Sequence, residues 1–135
     1  MIRPVACRLN EETAVNNYFQ KKNDQTEEEI IISAQREFDE FVTQLKDVGV
    51  QVMVINDKKE NNIPDSIFPN NWISFHADGG IALYPMSAKN RRKERRSSIV
   101  EHIESIGFDI QKTVDYTPAE EKCQFLEGTG SLLLD

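Results

Sequence analysis

The predicted elements repeat in the same order along the chain, and this repeat restricts the fold more than any other property of the sequence. One amphipathic stretch ends at Gly49 and another ends at Gly107, and an apolar, β-branched run follows each glycine. Pro64 and Pro118 lie in the loops beyond these runs, and the spacing between the prolines is close to that between the glycines. A helix with a glycine stop, followed by a buried strand, is typical of β/α proteins. The sequence therefore favours an α/β fold built from a repeated unit.

The first repeat begins with a strong helix signal at Thr26. Thr26 can cap the helix, and the consecutive glutamates after it favour the positive end of the helix dipole. The predicted apolar face of this helix consists of Ala34, Phe38, Phe41, Val42 and Leu45. Val50 to Ile55 then predict a buried strand, and another strand is predicted to start within Ile2 to Leu9. Asn10 to Thr26 is mostly polar and predicts a loop with some ordered turns.

The second repeat contains a hairpin signal. Trp72 to His76 and Ile81 to Tyr84 flank Ala77 to Gly80, whose glycines permit the positive φ angles of a tight turn. A second helix is predicted from about Lys89 to Ile106, and a strand from Phe108 to Val114. The predicted apolar face of the second helix consists of Ile99, Val100, Ile103 and Ile106.

The end of the chain also has the pattern of strands. Phe125 to Glu127 is strand-like, and Ser131 to Asp135 is an apolar run that reaches the last residue. Because an open apolar edge invites aggregation, a domain rarely ends on an unpaired strand. We therefore expect residues 1–135 to be the N-terminal portion of a single, truncated enzyme domain, and we expect its last strand to promote self-association.

The charge balance excludes several classes of function. The 135 residues carry a formal net charge of −7, and nucleic-acid binding, which depends on neutralising phosphates, is not expected. No apolar run approaches the ~20 residues of a membrane-spanning helix, and the first residues lack the apolar region of a signal peptide. We therefore expect a cytoplasmic protein that binds neither nucleic acid nor membrane. One basic cluster, Lys89 to Arg96, is expected to be a solvated helix face unless it forms part of a ligand site.

The cysteines and histidines show no metal-binding pattern. Cys7 and Cys123 are the only cysteines, and we expect reduced thiols that serve as small, buried apolar side chains. His76 and His102 have no partners at the spacing of zinc ligands. The sequence therefore gives no zinc site.

Two loops hold the residue types that chemistry needs. Ile63 to Trp72 joins a predicted strand to the hairpin and contains a carboxylate, two amides and two aromatic rings, a mixture that often lines a polar pocket. Leu126 to Ser131 places Glu127 before two glycines, where a carboxylate can bind a cation or transfer protons. An Asx-type turn is an equal alternative for the first loop, and a β-bulge with a surface acid is an equal alternative for the second.

Several stretches together resemble the arginine deiminase and amidinotransferase superfamily. They are Met1 to Pro4, Thr13 to Asn17, Pro64 to Met86, Asn90 to Arg92, and Leu126 to Asp135. The nearest likeness is to the amidinotransferase-like, citrulline-utilising hydrolases. It covers essentially the whole chain, but only roughly the first half of a family member. The resemblance implies a pentein fold, a propeller-like fan of five β/α units around a central active site, of which about two are present here.

The resemblance also implies a reaction and its residues. The expected enzyme hydrolyses the ureido or guanidino group of a free amino acid, citrulline first and arginine second, through a cysteine covalent intermediate. Neither a metal nor an organic cofactor is implied. Asp65, Phe68 and Asn71 are implied to contact the substrate. Glu127 is implied to be a catalytic acid that holds the reacting group and partners a histidine. Arg91 is implied to bind the α-carboxylate as a bidentate pair.

The chain departs from the family pattern at several positions. Asn71 stands where family members often have an acid, although the amidinotransferase-like branch can carry Asn-Asn there. The catalytic histidine and cysteine of the family follow the Glu127 motif, and His76, Cys7 and Cys123 do not match them. We therefore expect the chain by itself to be inactive. An amidinotransferase, or a non-catalytic domain that keeps the fold to bind a ligand or partner, is the alternative.

Overall fold

The computed structural model of the protein describes residues 1–14 and 25–128. The chain divides into two units, Met1–Ile67 and Phe68–Asp135. Within the described residues, each unit contains a strand, a helix and a second strand that is parallel to the first. Both units are therefore of the α/β type.

The first unit is organised around one long helix. Its elements in chain order are strand β1 (Ile2–Arg3), helix α1 (Glu11–Ala14), helix α2 (Glu27–Asp47), strand β2 (Ile55–Asn56) and a 3₁₀ turn (Lys59–Asn61). β1 and β2 pair in parallel, with Ile2 opposite Ile55. Among the described residues of this unit, the buried hydrophobic side chains are Ile2, Ala6, Phe38, Val42 and Ile63.

Helix α2 begins at the predicted cap. The Thr26 hydroxyl accepts a hydrogen bond from the Glu29 amide at 3.3 Å, and the Thr26 amide donates to the Glu29 carboxylate at 2.9 Å. This reciprocal capping box satisfies amides that the start of a helix leaves unpaired. Phe38 and Val42 of the predicted apolar face are buried. The assignment of Phe41 to that face is wrong, because Phe41 lies at the edge of the stripe and is 51% exposed.

The strands of the first unit are shorter than predicted. The sequence predicts a buried strand over Val50 to Ile55, but only Ile55–Asn56 forms a ladder, and Val50 is 46% exposed. The described ladder partner of this segment is the two-residue strand Ile2–Arg3. So short a partner cannot hold the whole apolar run in a sheet, and the run is not buried on both faces.

In its described residues, the second unit contains a three-stranded mixed sheet and one α-helix. Its elements in chain order are a 3₁₀ turn (Pro69–Asn71), β3 (Ile73–Phe75), β4 (Gly80–Leu83), a 3₁₀ turn (Arg91–Glu94), α3 (Ser97–Ser105), β5 (Lys112–Asp115) and a 3₁₀ segment (Thr117–Lys122). β3 and β4 form the predicted antiparallel hairpin, and β5 adds to β4 in parallel. The buried hydrophobic side chains of this unit are Trp72, Ile73, Ile81, Ala82, Tyr84, Met86, Ala88 and Ile99.

The helices α2 and α3 end in the same hydrogen-bond pattern. The amide of the terminal glycine bonds to the carbonyl three residues earlier, at 2.9 Å for Gly49 and 3.0 Å for Gly107. The next amide bonds to the carbonyl five residues before it, at 2.9 Å and 3.3 Å. The glycine φ angles are 86° and 102°, in the region that glycine adopts without steric cost. Both predicted glycine stops are therefore confirmed.

The helix predicted from Lys89 to Ile106 is in fact two elements. The 3₁₀ turn Arg91–Glu94 comes first, and Arg96 is extended (φ −107°, ψ 123°) before α3 begins. Residues i and i+3 eclipse each other in a 3₁₀ turn, and this geometry brings Arg91 and Glu94 together. The predicted helix is therefore interrupted before α3, next to the contact between Arg91 and Glu94. The hydrophobic periodicity of the sequence does not indicate this interruption.

Four further predictions in the second unit need correction or lie outside the described residues. Phe125 to Glu127 forms no ladder, and the strand predicted from Phe108 to Val114 is confined to Lys112–Asp115. Ile106, at the end of the predicted apolar face, is 61% exposed. Ser131 to Asp135 lies outside the described residues. In the described part of the chain, no helix is both long and apolar enough to cross a membrane.

Candidate active site

Asp65 of the first unit is held by an asparagine. Asn10 Nδ2 donates to Asp65 Oδ2 at 2.6 Å, and the Thr13 hydroxyl lies 3.4 Å from the same oxygen. Asn10 is fully buried, and its Oδ1 accepts a hydrogen bond from the Glu12 amide at 3.2 Å. Asn10 therefore caps α1 and orients the predicted substrate-binding carboxylate. The sequence analysis missed this residue, although an asparagine directly before Glu11-Glu12 is a recognisable helix cap.

Asn71, Arg91 and Glu127 meet in the second unit. Asn71 Nδ2 donates to Glu127 Oε2 at 3.1 Å, and Arg91 Nη1 lies 3.6 Å from the same oxygen. The Glu127 side chain retains 25% of its exposure. One carboxylate oxygen is thus oriented by a neutral amide and a cation, and the group remains accessible to a ligand.

The backbone around Glu127 is fixed by a close approach of two loops. The Gly128 amide donates to the Asn71 carbonyl at 2.8 Å. A Cβ atom on Gly128 would lie 2.6 Å from the Asn70 carbonyl oxygen and 3.0 Å from the Tyr84 ring. Because the first contact is with backbone, only glycine fits here without a shift of the loops. The loops that carry Asn71 and Glu127 are therefore held together by a main-chain hydrogen bond as well as by the hydrogen bond between the two side chains.

Arg91 is buried and tightly bound. Its Nε donates to Glu94 Oε1 at 2.8 Å and its Nη2 to Glu94 Oε2 at 3.2 Å, a bidentate pair in which Arg91 is 5% and Glu94 2% exposed. Arg91 Nη2 also lies 3.5 Å from the Phe68 carbonyl, whereas Phe68 as a whole is 51% exposed. Phe68 therefore contributes its backbone to this cluster and leaves its ring available.

The family model described as N,N dimethylarginine dimethylhydrolase, eukaryotic, matches residues 3–135. The chain belongs to this family. Searches of curated proteins and of solved structures returned no match. The expected relation to hydrolases that act on guanidino groups is thereby confirmed. The match does not test the expected likeness to the narrower branch of citrulline-utilising hydrolases, and that likeness stays a prediction.

Cys7 of this member of the dimethylarginine dimethylhydrolase family lacks the surroundings of a nucleophile. Burial raises the pKa of the Cys7 thiol, and the negative charges of Asp65 and Glu37 raise it further, which disfavours the reactive thiolate. Cys123 has a φ of 54° at the end of the segment Thr117–Lys122. Both thiols are free. The expectation of a buried apolar role is wrong for Cys123, because it is exposed at the end of a 3₁₀ segment.

A second acid, Glu120, binds two arginines of the basic cluster. Glu120 accepts hydrogen bonds from Arg95 at 2.6 and 3.0 Å and from the Met86 amide at 2.7 Å, and it lies 3.2 Å from Arg92 Nε. Burial raises the pKa of the Glu120 carboxyl, but the hydrogen bonds and the arginine charges outweigh this effect, and the pKa falls below its usual value. The prediction of a solvated helix face is therefore wrong for the arginines that Glu94 and Glu120 bind.

His76 belongs to a hydrogen-bonded chain on one face of the second sheet. The Ser74 hydroxyl lies 3.0 Å from His76 Nε2 and 2.7 Å from the Tyr84 hydroxyl. His76 and Tyr84 also line an open hollow of about 340 Å³, together with Gly80 and Ala82. Within residues 1–14 and 25–128, no three His, Cys, Asp or Glu side chains are grouped so that they could hold a metal.

Proposed function

We propose that this chain supplies part of the active site of a hydrolase that acts on the ureido or guanidino group of a free amino acid. Citrulline is the first proposed substrate and arginine the second. The observation that carries the proposal is the hydrogen bond from Asn71 Nδ2 to Glu127 Oε2 at 3.1 Å. It gives a partly accessible acid a fixed orientation, and such an acid can accept hydrogen bonds from substrate N–H groups. The family match supports the reaction class.

The choice of a neutral substrate group rests on the amide at position 71. A guanidinium is cationic at neutral pH, whereas a ureido group carries no charge. Leaving a buried charge without its partner typically costs about 3–5 kcal/mol, and the Asn71 amide cannot repay that cost for a cation. Arg91 Nη1, 3.6 Å from Glu127, also adds positive charge next to the acid. These surroundings favour a ureido group over a guanidinium.

The resemblance supplies the proposed roles. Glu127 accepts hydrogen bonds from the reacting group and exchanges a proton with a histidine, and Asp65 binds substrate N–H groups. A cysteine thiolate forms a bond to the central carbon, the C–N bond to the leaving ammonia or amine breaks, and the leaving nitrogen takes up a proton. Water then adds to the same carbon, and the C–S bond breaks to restore the thiolate. The resemblance gives Arg91 the α-carboxylate of the substrate and places Phe68 beside it, whereas in the structure the Arg91 guanidinium pairs with Glu94 and its Nη1 lies near Glu127.

Methylated arginines are the second candidate class. The name of the matching family points to them, and they differ from arginine in that the leaving group is a methylated amine. An amidinotransferase would pass the amidino group to an amine acceptor, and a non-catalytic domain would bind ligand without turnover. These functions are distinguished by what is released and whether an acceptor is required.

We also propose the five-unit pentein arrangement for the intact protein. Its support is that each unit contains parallel strands on either side of a helix, and that both helices end in the same glycine pattern. A crystal structure of the intact protein with fewer or differently connected units would contradict this arrangement.

The test of the proposed function is a screen of the intact protein against citrulline, arginine, methylated arginines and agmatine. We expect turnover with release of ammonia or an amine, and highest kcat/KM for citrulline. Glu127→Gln should lower kcat by roughly 10²- to 10⁴-fold, whereas the matched exposed control Glu121→Gln should leave kcat unchanged. Absence of turnover for every compound, or full activity of Glu127→Gln, would refute the proposal.

A further inference from the structure

The contact between Glu94 and Arg91 does more than neutralise a buried charge. The 3₁₀ turn Arg91–Glu94 stacks the two side chains, and the bidentate pair takes up Arg91 Nε and Nη2 at 2.8 and 3.2 Å. A bidentate pair fixes the plane of the guanidinium, which a single contact does not. With that plane fixed, Nη1 lies on the side of Glu127, 3.6 Å from Oε2.

We propose that Glu94 is a positioning residue of the active site: it holds the Arg91 guanidinium in the plane that keeps Nη1 against the Glu127 carboxylate. The kinetic part of this inference rests on the proposed function, whereas the geometric part does not. Glu94 is 2% exposed, so it acts on the substrate through Arg91 and not by contact.

Burial makes this positioning effective. Arg91 is 5% exposed, and water cannot easily replace a lost carboxylate partner at such a site. The Phe68 carbonyl, 3.5 Å from Nη2, supports the same orientation of the guanidinium. Asn71 approaches Glu127 Oε2 as well, at 3.1 Å. The carboxylate is therefore oriented by two groups, and Glu94 controls one of them.

The same unit offers a matched control for a purely structural ion pair. Glu120 also forms a bidentate pair, with Arg95 at 2.6 and 3.0 Å, and its side chain is 11% exposed. Its further partners are the Met86 amide and Arg92, so it ties loops together. If Glu94 were merely structural, Glu94→Gln and Glu120→Gln would affect the active site alike.

Nitrogen-15 NMR of arginine side chains in the intact protein tests the geometric part. Hindered rotation about the Nε–Cζ bond gives separate signals for the two Nη groups. We expect separate Arg91 signals in the wild type, merged signals in Glu94→Gln, and separate Arg91 signals in Glu120→Gln. If Glu94→Gln does not fold, Glu94→Asp keeps the charge but shortens the reach, and it should loosen Arg91 as well. Arg91 signals that stay separate in the folded Glu94 variant would overturn the inference.

A double-mutant cycle tests the kinetic part. Glu94→Gln should lower kcat/KM by roughly 10- to 100-fold, and it should have little further effect once Arg91→Ala is present. Glu120→Gln should leave kcat/KM near the wild-type value. If the losses of kcat/KM caused by Glu94→Gln and by Arg91→Ala multiply in the double variant, the inference is overturned even though the wild type is active. A wild type that turns over no substrate would refute the proposed function instead, and the NMR comparison would still decide the role of Glu94.

Discussion

Both acids implied in substrate binding are oriented by an asparagine. Asn10 donates to Asp65 at 2.6 Å, and Asn71 donates to Glu127 at 3.1 Å. An amide donor orients a carboxylate without adding a charge of its own. At the scale of single residues, the proposed specificity therefore depends on which neighbours of the acids are neutral.

Asn71→Asp should shift the preference of the intact enzyme from citrulline towards arginine. Two carboxylates at this separation repel each other unless a cation lies between them, and a guanidinium supplies that cation while a ureido group does not. Steady-state kcat/KM for both substrates is the measurement. Asn70→Asp is the matched control, because it adds the same charge at an exposed neighbouring position. A wild type that prefers arginine, with a ratio that Asn71→Asp leaves unchanged, would rule out this account.

Arg91→Ala should raise KM for amino-acid substrates more than for their decarboxylated analogues. Loss of a charge-assisted contact with the α-carboxylate costs about 1.5–3 kcal/mol, and a substrate without that carboxylate has no such contact to lose. The measurement compares arginine with agmatine, or citrulline with its decarboxylated analogue. Arg92→Ala serves as the control, because Arg92 lies beside Glu120 and over the Phe125 ring. Equal losses for both substrate types would point to a role in Glu127 orientation or folding alone.

At the scale of elements, the two glycine helix ends can be compared directly. A Cβ atom at Gly49 or at Gly107 would meet nothing within 4 Å, so the cost of a side chain is conformational in both cases. Gly49→Ala and Gly107→Ala should each lower the free energy of unfolding by roughly 1–2 kcal/mol. Urea unfolding measures both values. The corresponding asparagine variants should cost less, since asparagine tolerates the left-handed region. An alanine variant with an unchanged free energy of unfolding would show that the helix end rearranges.

At the scale of the whole molecule, we expect part of the stability to be lost in acid through Glu120. Its folded-state pKa lies below the usual value of 4.5, so its contribution is present above that value and is lost as the pH falls through the folded-state pKa. The gap in unfolding free energy between wild type and Glu120→Gln should therefore be largest at neutral pH and shrink below about pH 4.5. Chemical denaturation over this range is the measurement. The exposed control Glu121→Gln should show no gap, and a gap that is constant with pH would contradict the prediction.

The sequence predicted the features that depend on neighbours along the chain. Thr26 and Glu29 lie three residues apart, and a helix start or a glycine stop follows from such local chemistry. The pairing of Asn10 with Asp65 joins residues 55 positions apart, and periodicity carries no information about it. The length of β2 was overpredicted for a related reason, because a ladder also depends on the strand beside it.

The hydrogen bond from the Gly128 amide to the Asn71 carbonyl has an evolutionary consequence. Since main-chain atoms hold these two loops together, the side chain at position 71 can change while the backbone beneath it stays in place. Codons for asparagine and aspartate differ by one base. A single nucleotide change can therefore exchange the neutral neighbour of Glu127 for a charged one on an unchanged scaffold. On the proposed specificity, gene duplication followed by that one step would yield two enzymes that divide ureido and guanidino substrates between them.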